Sequence, residues 1–123
     1  MTEKTPEQLT ASMLRKELFI VTTTPARGPG IRELLPEHLD YQIRLEREGV
    51  LFGAGPIFDE GEEVPLGGMI ILRADSIDEA RAIVEQDPLH INGHRTYKIQ
   101  KWIMNEGTIS VTLRYSDQTM VFE

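Results

Sequence analysis

The sequence predicts a small α+β domain with the element order β-α-β-β-α-β, followed by a β-hairpin. Three observations predict it: strand-like apolar runs, two stretches in which apolar residues recur at helical spacing, and turn residues between them. This order is the split βαβ arrangement of ferredoxin-like domains, in which both helices cover one face of the sheet. A length of 123 residues suits one such domain and is too short for two hydrophobic cores.

The chain is expected to begin with an N-terminal arm over residues 1–15. Thr5 followed by Pro6 and Glu7 is a typical helix start, so this arm can hold a short helix. Residues 17–24 form a β-branched and aromatic run that ends at Pro25, which predicts the first strand.

The first long helix is predicted over residues 31–48. Its apolar residues mostly recur every three or four positions, and Gly49 follows where a helix end favours glycine. Pro36 is expected near an early turn of this helix or at a break between two pieces. Residues 50–58 then predict a second strand, which small residues interrupt.

The second half repeats the pattern of strand, helix and strand. Residues 68–74 are continuously apolar, which predicts a central strand. Ser76 and Glu79 form a capping box before a helix over residues 77–86, and Asp87-Pro88 ends that helix. Residues 96–104 predict the fourth strand, so the ferredoxin-like part covers 16–104. Residues 105–123 are expected to extend the same domain with a hairpin that pairs 108–115 with 120–123.

The sheet face that the helices leave uncovered predicts a dimer. Two helices cover one face only, and a second subunit that packs sheet to sheet is the simplest cover for the other. This expectation depends on topology and on no motif.

Composition excludes several classes of protein. The absence of cysteine excludes disulfides, thiol nucleophiles and thiolate metal sites. A formal net charge of −7 argues against nucleic acid as a partner, because nucleic acid binding relies on clustered Lys and Arg. No apolar run is long enough for a membrane helix and the first residues lack a signal-peptide pattern, so we expect a cytoplasmic protein without a membrane partner.

An ordered set of short motifs runs through residues 16–104: His38-Leu39, Gly49, Gly53-Ala54-Gly55-Pro56, Gly67-Gly68, Ser76-Ile77-Asp78-Glu79-Ala80, Asp87-Pro88 and Ile99-Gln100-Lys101-Trp102. In this order and spacing the chain resembles the YciI-like, or YCII-related, family. The resemblance implies a ferredoxin-like domain that forms a dimeric α+β barrel, similar in fold to muconolactone isomerase. It also implies a cleft lined by a His and an Asp, which are His38 and Asp87 here. At least one relative is a dehydrochlorinase that acts on a chlorinated hydroxyquinol. Relatives often carry an Arg three residues before the His, whereas this chain has Leu35 there and Arg32 one turn further away.

Two interpretations of His38 and Asp87 are open from the sequence. Histidine is the natural proton carrier near neutral pH, and a carboxylate can fix its tautomer and raise its basicity. His38 would then move a proton next to a carbonyl or phenol while Asp87 orients it. In the alternative, Asp87 only caps or turns the chain and His38 lies exposed on a helix.

Other residues are weaker candidates. Gly53, Gly55 and Pro56 indicate a bulge in a strand, with a ligand pocket beside it, and Arg32 is the remaining candidate for binding an anion. His90 and His94 suggest metal ligands, but Gly93 and Pro88 argue against one continuous helical face, so we predict no metal site. The loop 27–30 lacks the Lys and Ser/Thr of a nucleotide-binding loop, and no cofactor is expected.

The sequence therefore predicts a cofactor-independent enzyme of lyase or isomerase type that acts on a small, aromatic or ring-derived molecule. The reaction would be a proton transfer or an elimination resembling dehydrochlorination. The alternative is a noncatalytic protein that binds a small ligand, or an assembly protein in which the C-terminal hairpin builds a larger homo-oligomer. A third interpretation is an accessory domain that works with a separate enzyme.

Overall fold

The structure is a computed structural model, and it describes residues 3–122. Within these residues the elements follow the predicted order, with one additional short helix. They are α1 (Pro6–Ala11), β1 (Lys16–Thr23), α2 (Ile31–Arg47), β2 (Leu51–Ile57), β3 (Gly67–Leu72), α3 (Ile77–Glu85), α4 (Pro88–Ile91), β4 (Tyr97–Met104), β5 (Val111–Arg114) and β6 (Thr119–Phe122).

Four strands form a sheet in the order β2-β3-β1-β4. β3 pairs antiparallel with β1 on one side and with β2 on the other. The continuously apolar strand β3 is therefore central, as its sequence predicts. This strand order, with one helix after β1 and another after β3, confirms the ferredoxin-like fold.

The hydrophobic core lies between the two long helices and one face of the sheet. Alternate residues of each strand point to this face because side chains in a strand alternate between its two sides. Burial of each large apolar side chain contributes roughly 1.5–3 kcal/mol. The buried residues of this core are Phe19, Val21, Tyr41, Leu45, Ile70, Leu72, Ala80 and Val84.

Helix α2 runs without a break through Pro36, so of the two expectations for Pro36 the early turn is correct and the break does not occur. Pro36 is the sixth residue of the helix, where the missing amide leaves only the carbonyl of Arg32 without its usual partner. The helix ends as predicted, with Gly49 in the left-handed region at φ 77°. Its amide bonds back to the carbonyl of Glu46.

The ends of α3 explain the position of Asp87. The Ser76 hydroxyl accepts from the amide of Glu79, but the Glu79 carboxylate accepts from the amide of Asp75 and not of Ser76, so the capping box is only half formed. Asp87 has an extended backbone, as expected before a proline. Pro88 then begins α4, a four-residue helix that the sequence analysis did not predict.

Strand β2 contains an irregularity next to its glycines. Leu51 pairs with Leu72 and Gly53 pairs with Ile71, so Phe52 is an additional residue on the β2 side. An inserted residue of this kind is a β-bulge, which the small residues of this strand favour. Beyond the bulge, Ala54 lies opposite Ile70 and therefore faces the helices.

The chain divides into two compact units. Residues 17–103 form one unit, which holds the helices α2 to α4 and most of the sheet, and the described residues up to 16 form the other together with those from 104 onward. The second unit contains α1 and the predicted hairpin, in which β5 pairs antiparallel with β6. Glu123 lies outside the described residues. No helix in residues 3–122 is long and apolar enough to cross a membrane.

Candidate functional site

The fold brings His38 of α2 into contact with Asp87, which directly precedes α4. The Nδ1 atom of His38 lies 2.6 Å from Oδ2 of Asp87. The side chain of His38 is 15% exposed and that of Asp87 is 2% exposed. The pair therefore joins a buried carboxylate to an imidazole ring that solvent can reach.

The two oxygen atoms of Asp87 have different partners. Oδ1 accepts from the amide of Leu89 at 2.9 Å and so caps α4. Oδ2 contacts His38 and also accepts from Nε2 of Gln42 at 3.2 Å and from a terminal nitrogen of Arg95 at 3.4 Å. One oxygen of Asp87 therefore caps a helix, and the other oxygen contacts three side chains.

These contacts keep Asp87 ionised. Burial alone would raise the pKa of Asp87, but the hydrogen bonds from His38 and the Leu89 amide, with the charge of Arg95, outweigh burial and lower the pKa below its ordinary value of 3.8. An ionised carboxylate can only accept a hydrogen bond, so Nδ1 of His38 carries a proton and donates a hydrogen bond to Asp87. In the neutral ring Nε2 then has a free lone pair, and residues 3–122 provide no hydrogen-bond partner for it.

A second histidine orients Arg95. Nδ1 of His90 lies 2.9 Å from the carbonyl oxygen of Val84, which can only accept, so this nitrogen is protonated. Nε2 of His90 accepts from Nε of Arg95 at 3.1 Å. Burial lowers the pKa of His90, and the charge of Arg95 lowers it further, so the ring is neutral as this geometry requires.

A cavity of about 540 Å³ opens beside the pair, between α2 and the β2 side of the sheet. Its lining is mainly apolar, with polar groups from His38, Gln42 and Arg95 at one end and from Glu46 further along α2. A second cavity, of about 430 Å³, shares both His38 and Arg95 with the first. The imidazole of His38 therefore lies where two cavities adjoin.

The candidate ligand-binding residues fall into two groups. Gly53, Gly55 and Pro56 line the larger cavity next to the bulge in β2. Arg32 is exposed in the first turn of α2 and is not one of the described residues that line either cavity at His38. Leu35 lines the smaller cavity.

The sequence analysis missed Gln42 and Arg95. Gln42 follows His38 by four residues, which places both side chains on one face of α2, so the helical spacing could have indicated it. Arg95 lies between α4 and β4, where no periodicity predicts the direction of a side chain. Its role could not be found from spacing.

The two remaining histidines have other partners. Both ring nitrogens of His90 bond to protein atoms, and Nδ1 of His94 lies 2.8 Å from the carbonyl oxygen of Arg27. Within residues 3–122 no group of three or more His, Cys, Asp or Glu side chains is placed to hold a metal ion.

Comparisons with known proteins agree with this fold. The YCII-related domain matches the chain over residues 17–103. A similar solved structure is 5-chloro-2-hydroxyhydroquinone dehydrochlorinase from Burkholderia phenoliruptrix AC1100 in complex with 2,5-dihydroxybenzoquinone. It is 22% identical, covers 69% of this chain and 92% of its own, and has a TM-score of 0.53. An antibiotic biosynthesis monooxygenase is 12% identical and covers 74% of this chain and 99% of its own, with a TM-score of 0.40. No curated protein matches the chain. At 22% identity the similarity to the dehydrochlorinase shows the fold alone.

Proposed function

Because this chain belongs to the YCII-related family, we propose that it is a small-molecule enzyme of lyase or isomerase type in which His38 transfers a proton. The observation that carries the proposal is the 2.6 Å contact between His38 and the buried carboxylate of Asp87, with the same ring lining a cavity of about 540 Å³. A base held by a buried anion and open to a cavity is a common arrangement for general acid-base catalysis.

The proposed chemistry follows from the tautomer. Nε2 of His38 accepts a proton either from a carbon next to a carbonyl, where the electron pair of the broken bond moves into that carbonyl, or from a phenol hydroxyl, where the electron pair moves into the ring. In a lyase reaction a leaving group then departs from the neighbouring carbon, and in an isomerase reaction the proton returns to a different carbon. Asp87 stabilises the imidazolium that forms, because its carboxylate oxygen is 2.6 Å from Nδ1.

The substrate is proposed to be small and ring-derived. The similar dehydrochlorinase was solved with 2,5-dihydroxybenzoquinone, and the cavity here has a mainly apolar lining that suits a ring. Gly53, Gly55 and Pro56 would form its floor.

A thermal-shift screen tests for ligands. Small carboxylates, phenols, quinols and lactones are screened against the wild type, because a ligand that binds only the folded state raises its stability. Compounds that bind, and 5-chloro-2-hydroxyhydroquinone, are then followed for chloride release and for exchange of carbon-bound hydrogen with D2O.

His38→Asn is the test variant for catalysis. Asn can still donate to Asp87, so the buried carboxylate keeps a partner while the base is lost. The rate is expected to fall roughly 10²–10⁴-fold. His94→Asn is the matched control, because His94 does not line the cavity at His38. Turnover that persists in His38→Asn contradicts the proposal. If no compound binds or reacts, the noncatalytic assembly or accessory function is the better explanation.

We also propose that two chains pack through the sheet face that the helices leave uncovered. Ile20 and Ile71 are directly paired on that face, and Met69 lies on the same face two residues from Ile71; all three are partly buried. Light scattering should give twice the mass of one chain, and Ile71→Lys should yield monomers. A wild type that is monomeric at micromolar concentration would exclude this dimer. A cytoplasmic location stays a prediction from the sequence.

A further inference from the structure

Arg95 is mostly buried, but few of its hydrogen-bond donors have a partner within residues 3–122. Its side chain is 10% exposed, and a guanidinium group has five N–H donors. One donor bonds to His90 at 3.1 Å, and a second contacts Asp87 at the long distance of 3.4 Å. Residues 3–122 supply no acceptor for the other three donors.

The remaining donors belong to an oriented group. His90 fixes the Nε end of the guanidinium, because its own ring is held by the carbonyl oxygen of Val84. A planar guanidinium held at Nε presents its terminal nitrogens as a rigid fork that matches a carboxylate or another planar oxyanion.

The fork lies at the cavities next to the proposed base. Arg95 lines both cavities that His38 lines, and both side chains contact the same oxygen of Asp87. A ligand oxyanion at the unpaired donors would gain charge-assisted hydrogen bonds, which contribute about twice as much as neutral ones.

The opposite end of the larger cavity limits the charge of the ligand. Glu46 lines it, eight residues along α2 from His38, which corresponds to about 12 Å along a helix. Between the two ends the lining is mostly apolar, including Leu39, Ile43 and Ile70. A ligand with one anionic group fits this distribution, whereas a second anionic group at its far end would face the carboxylate of Glu46.

We propose that Arg95 binds the anionic oxygen of the substrate, so that the site selects small organic monoanions with an apolar body. The oxygen belongs either to a carboxylate or to an ionised phenol or enol, which share a negatively charged oxygen bonded to a planar carbon. This inference rests on the proposed function, because it takes the cavity at His38 as the substrate site.

Calorimetric titration with matched compounds tests the proposal. Benzoate and 4-nitrophenolate are the two monoanions, benzamide is the neutral analogue, and terephthalate is the dianion. The wild type should bind at least one monoanion about tenfold or more tightly than benzamide, and terephthalate more weakly than benzoate. The two monoanions distinguish a carboxylate site from a phenolate or enolate site.

Variants assign the preference to one side chain. Arg95→Gln should bind the preferred monoanion and benzamide equally, and Arg95→Lys should keep part of the preference. Arg44→Gln is the control, because it removes the same charge from a side chain that is 60% exposed and paired with Glu48. The unfolding midpoint of each variant is measured to show that the variant folds. If Arg95→Gln does not fold, the ratio of the wild-type affinities for the monoanion and for benzamide still tests the proposal.

The outcomes separate this inference from the proposed function. Equal binding of anion and neutral analogue by the wild type, or an anion preference that survives in Arg95→Gln, overturns the role of Arg95. If turnover depends on His38 but no anion preference exists, the proposed function stands and this inference fails. If Arg95 selects anions but no proton transfer depends on His38, the site binds anions without catalysis.

Discussion

Replacement of Asp87 by Asn would remove one negative charge from the centre of the site with almost no change in size. Oδ2 accepts from His38, Gln42 and Arg95, and the side chain is 2% exposed, so water cannot replace these contacts. The Asn side chain has one acceptor oxygen and one NH2 group. If the oxygen caps α4, the NH2 group faces the three donor side chains. If the oxygen faces those donors, the NH2 group opposes the amide of Leu89.

The expected loss of stability is about 3 kcal/mol, the lower end of the range for breaking a buried ion pair, because Arg95 lies at the wall of a cavity. If the free energy of unfolding falls by roughly 1.5 kcal/mol per molar urea, the urea concentration at the unfolding midpoint would fall by about 2 M. Since the folded-state pKa of Asp87 is lowered, its contribution is fully present above pH 3.8 and is lost as the pH falls further, through the folded-state pKa. The wild type and Asp87→Asn should therefore converge in stability at strongly acidic pH.

The same substitution should also change the tautomer of His38. Where the NH2 group of Asn faces the ring, Nδ1 becomes the acceptor and the proton moves to Nε2, which removes the proposed base. The rate should fall roughly 10²–10⁴-fold, and the nitrogen-15 shifts of the His38 ring should show protonation at Nε2. Asp40→Asn is the matched control, because Asp40 is an exposed residue of the same helix. An Asp87→Asn protein as stable and as active as this control would refute the reasoning.

Two further predictions concern close packing and pH. Gly67→Ala should destabilise the protein by about 1–3 kcal/mol, because the added methyl group would clash with the carbonyl oxygen of Thr23 in β1. Gly53→Ala, where no atom lies within 4 Å of the new Cβ, should change the urea midpoint little, and equal effects at the two positions would contradict this account. Because the pKa of His90 is lowered below 6.5 in the folded state, the unfolded chain binds more protons, so stability should decrease as the pH falls below about 6.5. His90→Gln should flatten that decrease in urea titrations between pH 7 and pH 5, and an unchanged slope would show that His90 does not cause it.

The fold could be predicted from the sequence because its signals are local. Apolar residues at helical spacing define α2, and Gly49 ends it in the left-handed conformation that its position predicts. Helix α4 was missed because four residues are too few to show a period. Of the two alternatives for Pro36 the early turn is found and the break is not, because a proline near the start of a helix removes only one hydrogen bond, which the packing of Tyr41 and Leu45 outweighs.

The site could be predicted only in part. His38 and Asp87 are far apart in the sequence, and their contact was expected from the resemblance to a family and from no spacing rule. The capping that the second interpretation expects of Asp87 does occur, at one oxygen, but His38 bonds to the other oxygen and does not lie exposed on its helix. The position of Arg95 in the site could not be foreseen, because the orientation of its side chain depends on which ring nitrogen of His90 carries the proton.

The C-terminal hairpin has a consequence for solubility. Its register places Val111 opposite Phe122 and Leu113 opposite Met120, so one face is apolar, and these four side chains are 49–72% exposed. A sheet of two strands also has two open edges, where backbone groups can pair with another chain. The hairpin lies beyond residues 17–103, which match the family. At high concentration, self-association of this protein is therefore expected to begin at its C-terminus, with the net charge of −7 as the opposing force.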